Sequence, residues 1–283
     1  MKNLFHKDLI LKSTIILLFF TQTPKTYCSH LNSLSSKTEI FRQNEQKENL
    51  PVVFLTIPKS GTHLLEKAYN LITNTSCTEN DDSHWMGFDF FKFIETPESY
   101  FIGRKKQYSF NHFWFESELS SRLNCDGLKL VLLIRDPRDV IISIINSYPK
   151  MIWRNIDPTW PLDKKISTLI EDNTPNTSLK SMYETALKCM NIPFAHVIYF
   201  EDLVGPEGGG DLEKQKTTIR KLADYVGHSL SDNQIDTISQ QLFGGTKTFN
   251  KGQIGSWKNL FTSQNEKLFN QIMGTELQLL GYK

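Results

Sequence analysis

Lys59, Ser60, Gly61 and Thr62 stand where an apolar run, VVFLTI at residues 52–57, hands over to a helical spacing of Leu64, Leu65, Ala68, Leu71 and Ile72. A helix start exposes unpaired N–H groups and a partial positive charge, so phosphate or sulfate fits there. Lys59 adds a mobile cation, and Ser60 and Thr62 add hydroxyl donors. Gly61 lets the backbone approach an anion, and His63 adjoins the loop. The order differs from the nucleotide loop GxxxxGK[ST], because Lys59 precedes the glycine. A serine or threonine here would also serve as an ordinary helix cap.

Two further stretches could bind anions. In IRDPRDVIIS, residues 134–143, Arg135 falls at the end of an apolar run and Ser143 lies about two helical turns on. Both could face a second anionic group, or Ser143 could bond its own helix backbone. FNKGQIGSWKNLFT, residues 249–262, is basic, aromatic and glycine-containing, and its Lys251 and Gly252 could close over a phosphate.

The elements that must position these residues alternate in type. Strands are expected at 52–57, 108–113, 128–134 and 195–200, where β-branched and aromatic residues dominate. Helices are expected at 62–74, 115–123, 137–148, 179–190, 211–226, 231–242 and about 263–280, with Pro137 at a first turn where proline is tolerated. GPEGGG at 205–210 is expected to hold no regular structure. This alternation predicts one α/β domain with a mainly parallel sheet covered by helices on both faces. In such sheets ligands bind beyond the carboxyl ends of the strands, which is where the first two stretches fall.

Taken together, the three stretches resemble the sulfotransferases that use 3′-phosphoadenosine 5′-phosphosulfate (PAPS), over about residues 51–270. PKSGT resembles their 5′-phosphosulfate loop, Arg135 with Ser143 their 3′-phosphate site, and residues 249–262 their C-terminal Arg-Lys-Gly segment. FEDLVGPEGGG (200–210) is similar to a stretch common in the family. The resemblance implies the P-loop-like sulfotransferase fold and PAPS as co-substrate, with no metal. It implies Lys59 beside the bridging oxygen, offsetting charge as the sulfuryl group departs, and His112 as general base at a strand end. Lys59, Ser60, Gly61, Thr62, His63, Arg135, Ser143, Phe200, Phe243, Lys251 and Gly252 would contact the donor. Four positions depart from the family pattern. Leu64 replaces a tryptophan, Phe200 a tyrosine, Asn250 an arginine, and Phe110 a lysine. Phe243 is expected to offer an aromatic face for adenine.

The 283 residues suffice for one sizeable domain, and 39% are hydrophobic. With 32 basic and 31 acidic residues the net charge is +1, which argues against broad electrostatic binding of nucleic acid. The four cysteines show no zinc or disulfide spacing. Residues 1–30 have a basic start and the short apolar core STIILLFF, the pattern of a signal or targeting segment. Acting so, they would give a secreted, lumenal or membrane-associated protein, and otherwise a cytoplasmic one. Residues 31–50 read as a polar linker before a domain at 51–283. The aromatic-rich segments 85–115 and 148–162 could line a pocket for a small-molecule or glycan acceptor, or could simply cover the sheet. Two other readings stay open: a P-loop phosphotransferase using Asp136 or Asp139 for magnesium, and a sulfotransferase-like binding protein without turnover.

Overall fold

A computed structural model describes residues 50–75, 108–112, 128–147, 156–175, 177–246 and 249–283. The expected targeting segment, most of the linker, the helix at 115–123, and most of the aromatic segments 85–115 and 148–162 lie outside the described residues. The described chain falls in one compact unit, Asn49–Lys283.

Four strands form one parallel sheet: β1 (Val52–Thr56), β2 (Tyr108–His112), β3 (Lys129–Ile134) and β4 (Ala195–Tyr199), in the order β2-β1-β3-β4. Every residue of β1 is buried, as expected of a central strand covered on both faces. Successive side chains point to opposite faces, so β1 feeds two cores. Val53 and Leu55 enter the core formed with α2 (Pro137–Asn146), α3 (Leu162–Glu171), α4 (Leu179–Met190) and α7 (Ser263–Leu279). Val52 and Phe54 enter the core formed with α1 (Thr62–Thr73), α5 (Leu212–Val226) and α6 (Asp232–Leu242). Burying a side chain such as Phe54 or Leu55 contributes about 1.5–3 kcal/mol.

The expected strands and most expected helices appear with ends shifted by only a few residues. Three local elements differ from expectation. Helix α3 was not anticipated, because only Ile166, Leu169 and Ile170 of its ten residues are buried and the rest is polar apart from the exposed Leu162. Phe200–Leu203 forms a single helical turn straight after β4. Residues Pro206–Gly208 form a 3-10 turn inside the segment expected to be irregular. The glycines there serve close packing: a Cβ at Gly208 would stand 2.7 Å from the Gly252 carbonyl oxygen. Ile254 N–H donates to the Gly208 carbonyl, so this segment carries the one at 250–256.

The topology opens a crevice at a defined place. β1 has β2 on one side and β3 on the other. The chain leaves β1 for α1 on one face and leaves β3 for α2 on the opposite face. The two loops therefore part at the carboxyl ends of neighbouring strands, the switch point where α/β sheets take ligands.

Candidate active site

At this switch point lies a cleft of about 130 Å³. Lys59, Gly61, Thr62, His63, His112, Arg135, Ser143, Phe200, Phe243, Lys251 and Gly252 all line it, although they come from six separate parts of the chain. Ser60 is the exception, since it is fully buried beneath the loop.

The β1–α1 loop is strained and open. Lys59 has φ +69°, a left-handed conformation that costs an L-residue about 1–2 kcal/mol. Gly61, the N-cap of α1, has φ +107° and provides no side-chain cap. Packing alone demands a glycine here, because a Cβ would stand 2.6 Å from a ring carbon of Phe200. The Ser60 Oγ is buried with no hydrogen-bond partner. A buried orphan hydroxyl costs about 1–3 kcal/mol, so this loop keeps a donor in reserve. The Lys59 ammonium is held below its ordinary pKa by burial and by the nearby Arg135 guanidinium.

His112 ends β2 beside this loop. Its Nδ1 lies 2.9 Å from Thr56 Oγ1, which is also 2.8 Å from Thr62 Oγ1 and donates to the Asn111 carbonyl at 3.3 Å. Burial pushes the imidazole pKa down to about 4, against the opposing effect of a hydrogen bond with the Thr56 backbone, and His63 lowers it further. His112 is therefore neutral around pH 7. His63 lies on the first turn of α1, with Nδ1 2.9 Å from Glu66 Oε2. Thr56 went unassigned in the sequence, although a threonine just before the end of an apolar run is a visible signal of a buried polar task. Phe110, two residues before His112, is fully buried and stacks on Phe54 with centroids 4.3 Å apart. It belongs to the core and does not substitute for a lysine at the cleft.

The β3–α2 junction is closed by its own side chains. Arg135 is buried over the Phe200 ring, 4.1 Å from its centroid. Its guanidinium donates to the Lys59 carbonyl at 3.3 Å and the Gln253 carbonyl at 2.9 Å, while Nε is buried without a partner. Asp136 caps α2 by accepting from Arg138 N–H and pairs with the Arg138 guanidinium at 2.7 Å. Asp139 accepts from Gly255 N–H at 2.7 Å and Trp257 N–H at 3.1 Å. Burial raises its pKa, an effect that Arg135 and these two amides oppose. Both carboxylates weighed as magnesium ligands are thus committed to protein donors. No cluster of three or more His, Cys, Asp or Glu residues suited to a metal ion occurs among the described residues.

The segment at 249–257 closes the cleft from above. Lys251 and Asn250 are exposed, and Asn250 Nδ2 donates weakly to the Asn146 carbonyl at 3.4 Å. Gly252 has φ +60°, and a Cβ there would lie 3.0–3.2 Å from the Phe249 and Phe243 rings. Those rings meet edge to face with centroids 5.2 Å apart. Asp139, Gln253 and Phe249 also line the cleft, and the sequence had pointed to none of them as a donor contact. The contacts of Asp139 and Gln253 join positions more than a hundred residues apart, Asp139 to Gly255 and Gln253 to Arg135. Trp257 anchors this segment under the Arg138 guanidinium, which lies 3.8 Å from its ring centroid.

The comparisons with known proteins agree with this fold. A family model described as sulfotransferase domain matches residues 50–243. Sulfotransferase 2A6 of Mus musculus is 23% identical over 256 residues, covering 78% of this chain and 82% of that protein. Sulfotransferase 2A1 of Rattus norvegicus is 24% identical over 260 residues, with the same two coverages. Among solved structures, mouse sulfotransferase SULT7A1 complexed with PAP superposes with a TM-score of 0.59 at 15% identity, covering 84% of this chain and 91% of that one. Retinol dehydratase in complex with androsterone and inactive cofactor PAP gives a TM-score of 0.55 at 16% identity, covering 82% and 83%.

Proposed function

The chain belongs to the sulfotransferase domain family, and from that premise we propose that it transfers a sulfuryl group from PAPS to a hydroxyl or amine of a small-molecule or glycan acceptor. The observation that carries the reading is the convergence of Lys59, His112, Arg135 and Ser143 on one cleft at the sheet's switch point. Three features fit an anionic donor. The start of α1 has no side-chain cap, Ser60 Oγ is a buried donor without a partner, and Arg135 Nε is another. Both solved structures named above, each a complex with PAP, share this fold.

In this reading the 5′-phosphosulfate meets the β1–α1 loop, and the 3′-phosphate meets Arg135 and Ser143. Phe243 would face the base, and Lys251 and Gly252 would close over the phosphate. The acceptor oxygen or nitrogen forms a bond to sulfur as the bond from sulfur to the bridging oxygen breaks. The acceptor's proton passes to His112, and the electron pair leaves with the bisphosphate, where the Lys59 ammonium offsets it. The Thr56 hydroxyl has one proton. When it donates that proton to the Asn111 carbonyl, His112 Nδ1 carries the ring hydrogen and the lone pair sits on Nε2, as a base requires.

The test starts with the melting temperature of the full chain against adenosine 3′,5′-bisphosphate, AMP, ADP and ATP with magnesium, because a ligand selective for the folded state raises apparent stability. Selective stabilisation by the bisphosphate is expected. Stabilisation by ATP–magnesium instead would overturn the donor. His112→Ala is then expected to keep bisphosphate binding and to lose about 10²–10⁴-fold in transfer from labelled donor. Unchanged turnover in that variant would remove His112 as the base. Residues 1–30, read as a targeting segment, would carry the enzyme to lumenal or secreted acceptors, and loss of those residues from protein recovered from cells would support that route.

A further inference from the structure

Helix α6 ends at Leu242, and the chain next forms a turn whose only side-chain tether among the described residues comes from Lys67. Phe243 caps the helix in an extended conformation, with φ −69° and ψ 137°. Gly244 and Gly245 follow at φ +70° and +69°, a pair of left-handed residues that other residue types adopt only at a cost. Lys67, on the second turn of α1, donates from Nζ to the Gly244 carbonyl at 2.9 Å. A Cβ at Gly245 would stand 3.6 Å from the same Nζ, so the turn wraps the ammonium. This turn leads Phe243 into the cleft and precedes Phe249, the ring against which Phe243 packs. The same two rings lie under Gly252.

We propose that Lys67 is a positioning residue for recognition of the donor's base. Its ammonium pins the Gly244 carbonyl to α1 and so fixes the aromatic wall of Phe243 and Phe249 relative to the anion loop at the start of the same helix. One helix then sets both ends of the nucleotide, the phosphosulfate through its first turn and the base through Lys67. Without the pin, two flexible glycines would leave the wall free to drift, and stacking depends on ring placement. The inference rests on the PAPS reading of this cleft.

The experiment compares wild type, Lys67→Met and Lys67→Arg by calorimetric titration with two ligands. One is adenosine 3′,5′-bisphosphate, and the other is an abasic 3′,5′-bisphosphate with tetrahydrofuran in place of the nucleoside. Methionine keeps an apolar stem without the charge, so the fold is expected to persist, and the melting temperature of the free protein checks this. Lys67→Met is expected to weaken the adenosine ligand about tenfold, the scale of one charged hydrogen bond, and to change the abasic ligand by less than about twofold. Lys67→Arg is expected to restore most of the loss, because it still offers N–H donors. In steady-state transfer, the donor KM rises in Lys67→Met while kcat holds. Equal weakening of both ligands would mean that the ammonium acts on the phosphates directly, and would overturn the proposal. So would wild-type affinity of Lys67→Met for the adenosine ligand. Failure of the wild type to bind either ligand would instead refute the donor reading, and the proposal with it.

Discussion

The two strand–helix junctions that face the cleft share a topology and treat their helix starts in opposite ways. At the end of β1, α1 begins without a side-chain cap and a buried hydroxyl has no partner. At the end of β3, α2 begins under its own carboxylate, since Asp136 accepts from Arg138 N–H and Asp139 accepts from two amides of the 253–257 segment. The first junction can receive an anion through its helix dipole and hydroxyls. The second has already supplied the negative charge its dipole favours, and in the proposed function a phosphate there would be held by the Arg135 guanidinium and by Ser143 further along α2. A parallel sheet provides the place, and capping decides whether that place stays open to a ligand.

The contrast can be broken at either junction. The largest stability effect belongs to Asp136→Ala, which removes a cap and the carboxylate paired with the buried Arg138 guanidinium. A loss of about 3–5 kcal/mol is expected on denaturant unfolding, with bisphosphate affinity of the folded protein close to wild type. A tenfold affinity loss without a stability loss would reverse the assignment of the two junctions. Arg135→Ala is expected to weaken adenosine 3′,5′-bisphosphate at least about 30-fold and AMP far less, because removing one partner of a buried charge contact costs about 2 kcal/mol or more. Equal losses for both ligands would mean that Arg135 only ties Lys59 to Gln253. Ser60→Ala is the opposite of Asp136→Ala. It removes an orphan polar atom, so the melting temperature should hold or rise slightly, while bisphosphate affinity falls about tenfold. A clear stability loss with unchanged affinity would show that Ser60 is structural.

The smallest effect near neutrality is in pH. The pKa of His112 is depressed to about 4 in the folded protein, so the imidazole stays neutral as pH falls through 6.5. The acid limb of the transfer rate should then lie near pH 4–5. Stability has the same sign: below 6.5 the unfolded chain binds a proton that the folded chain refuses, so folding weakens from 6.5 down to about 4. An acid limb at 6.5 that disappears in His112→Ala would show that the ring is more hydrated than its surroundings imply.

Much of the fold was legible because the sheet's central strands are continuous apolar runs bounded by proline, glycine or charge. Lys59, His112 and Arg135 could be singled out in the sequence because each sits at or just beyond a strand end, where local pattern and topology coincide. What stayed hidden is of two kinds. Helix α3 buries too few residues for its period to stand out beside the aromatic segment before it. The clamps that shape the site, Asp139 on Gly255 and Lys67 on Gly244, join residues 116 and 177 positions apart, and no local window contains both partners. Orphan atoms such as Ser60 Oγ are invisible for a different reason. A serine after Lys59 reads alike whether its hydroxyl is spent on a cap or kept unpaired.

The backbone at Lys59 also bears on how this enzyme would respond to selection in the laboratory. A residue at φ +69° that is neither glycine nor asparagine is a standing invitation to replacement, because asparagine relieves about 1 kcal/mol of the conformational cost at such a position. A mutant library sorted by heat resistance alone should therefore enrich Asn at position 59 and drift toward inactivity. The same library sorted by turnover should keep the lysine and find its thermal gains elsewhere.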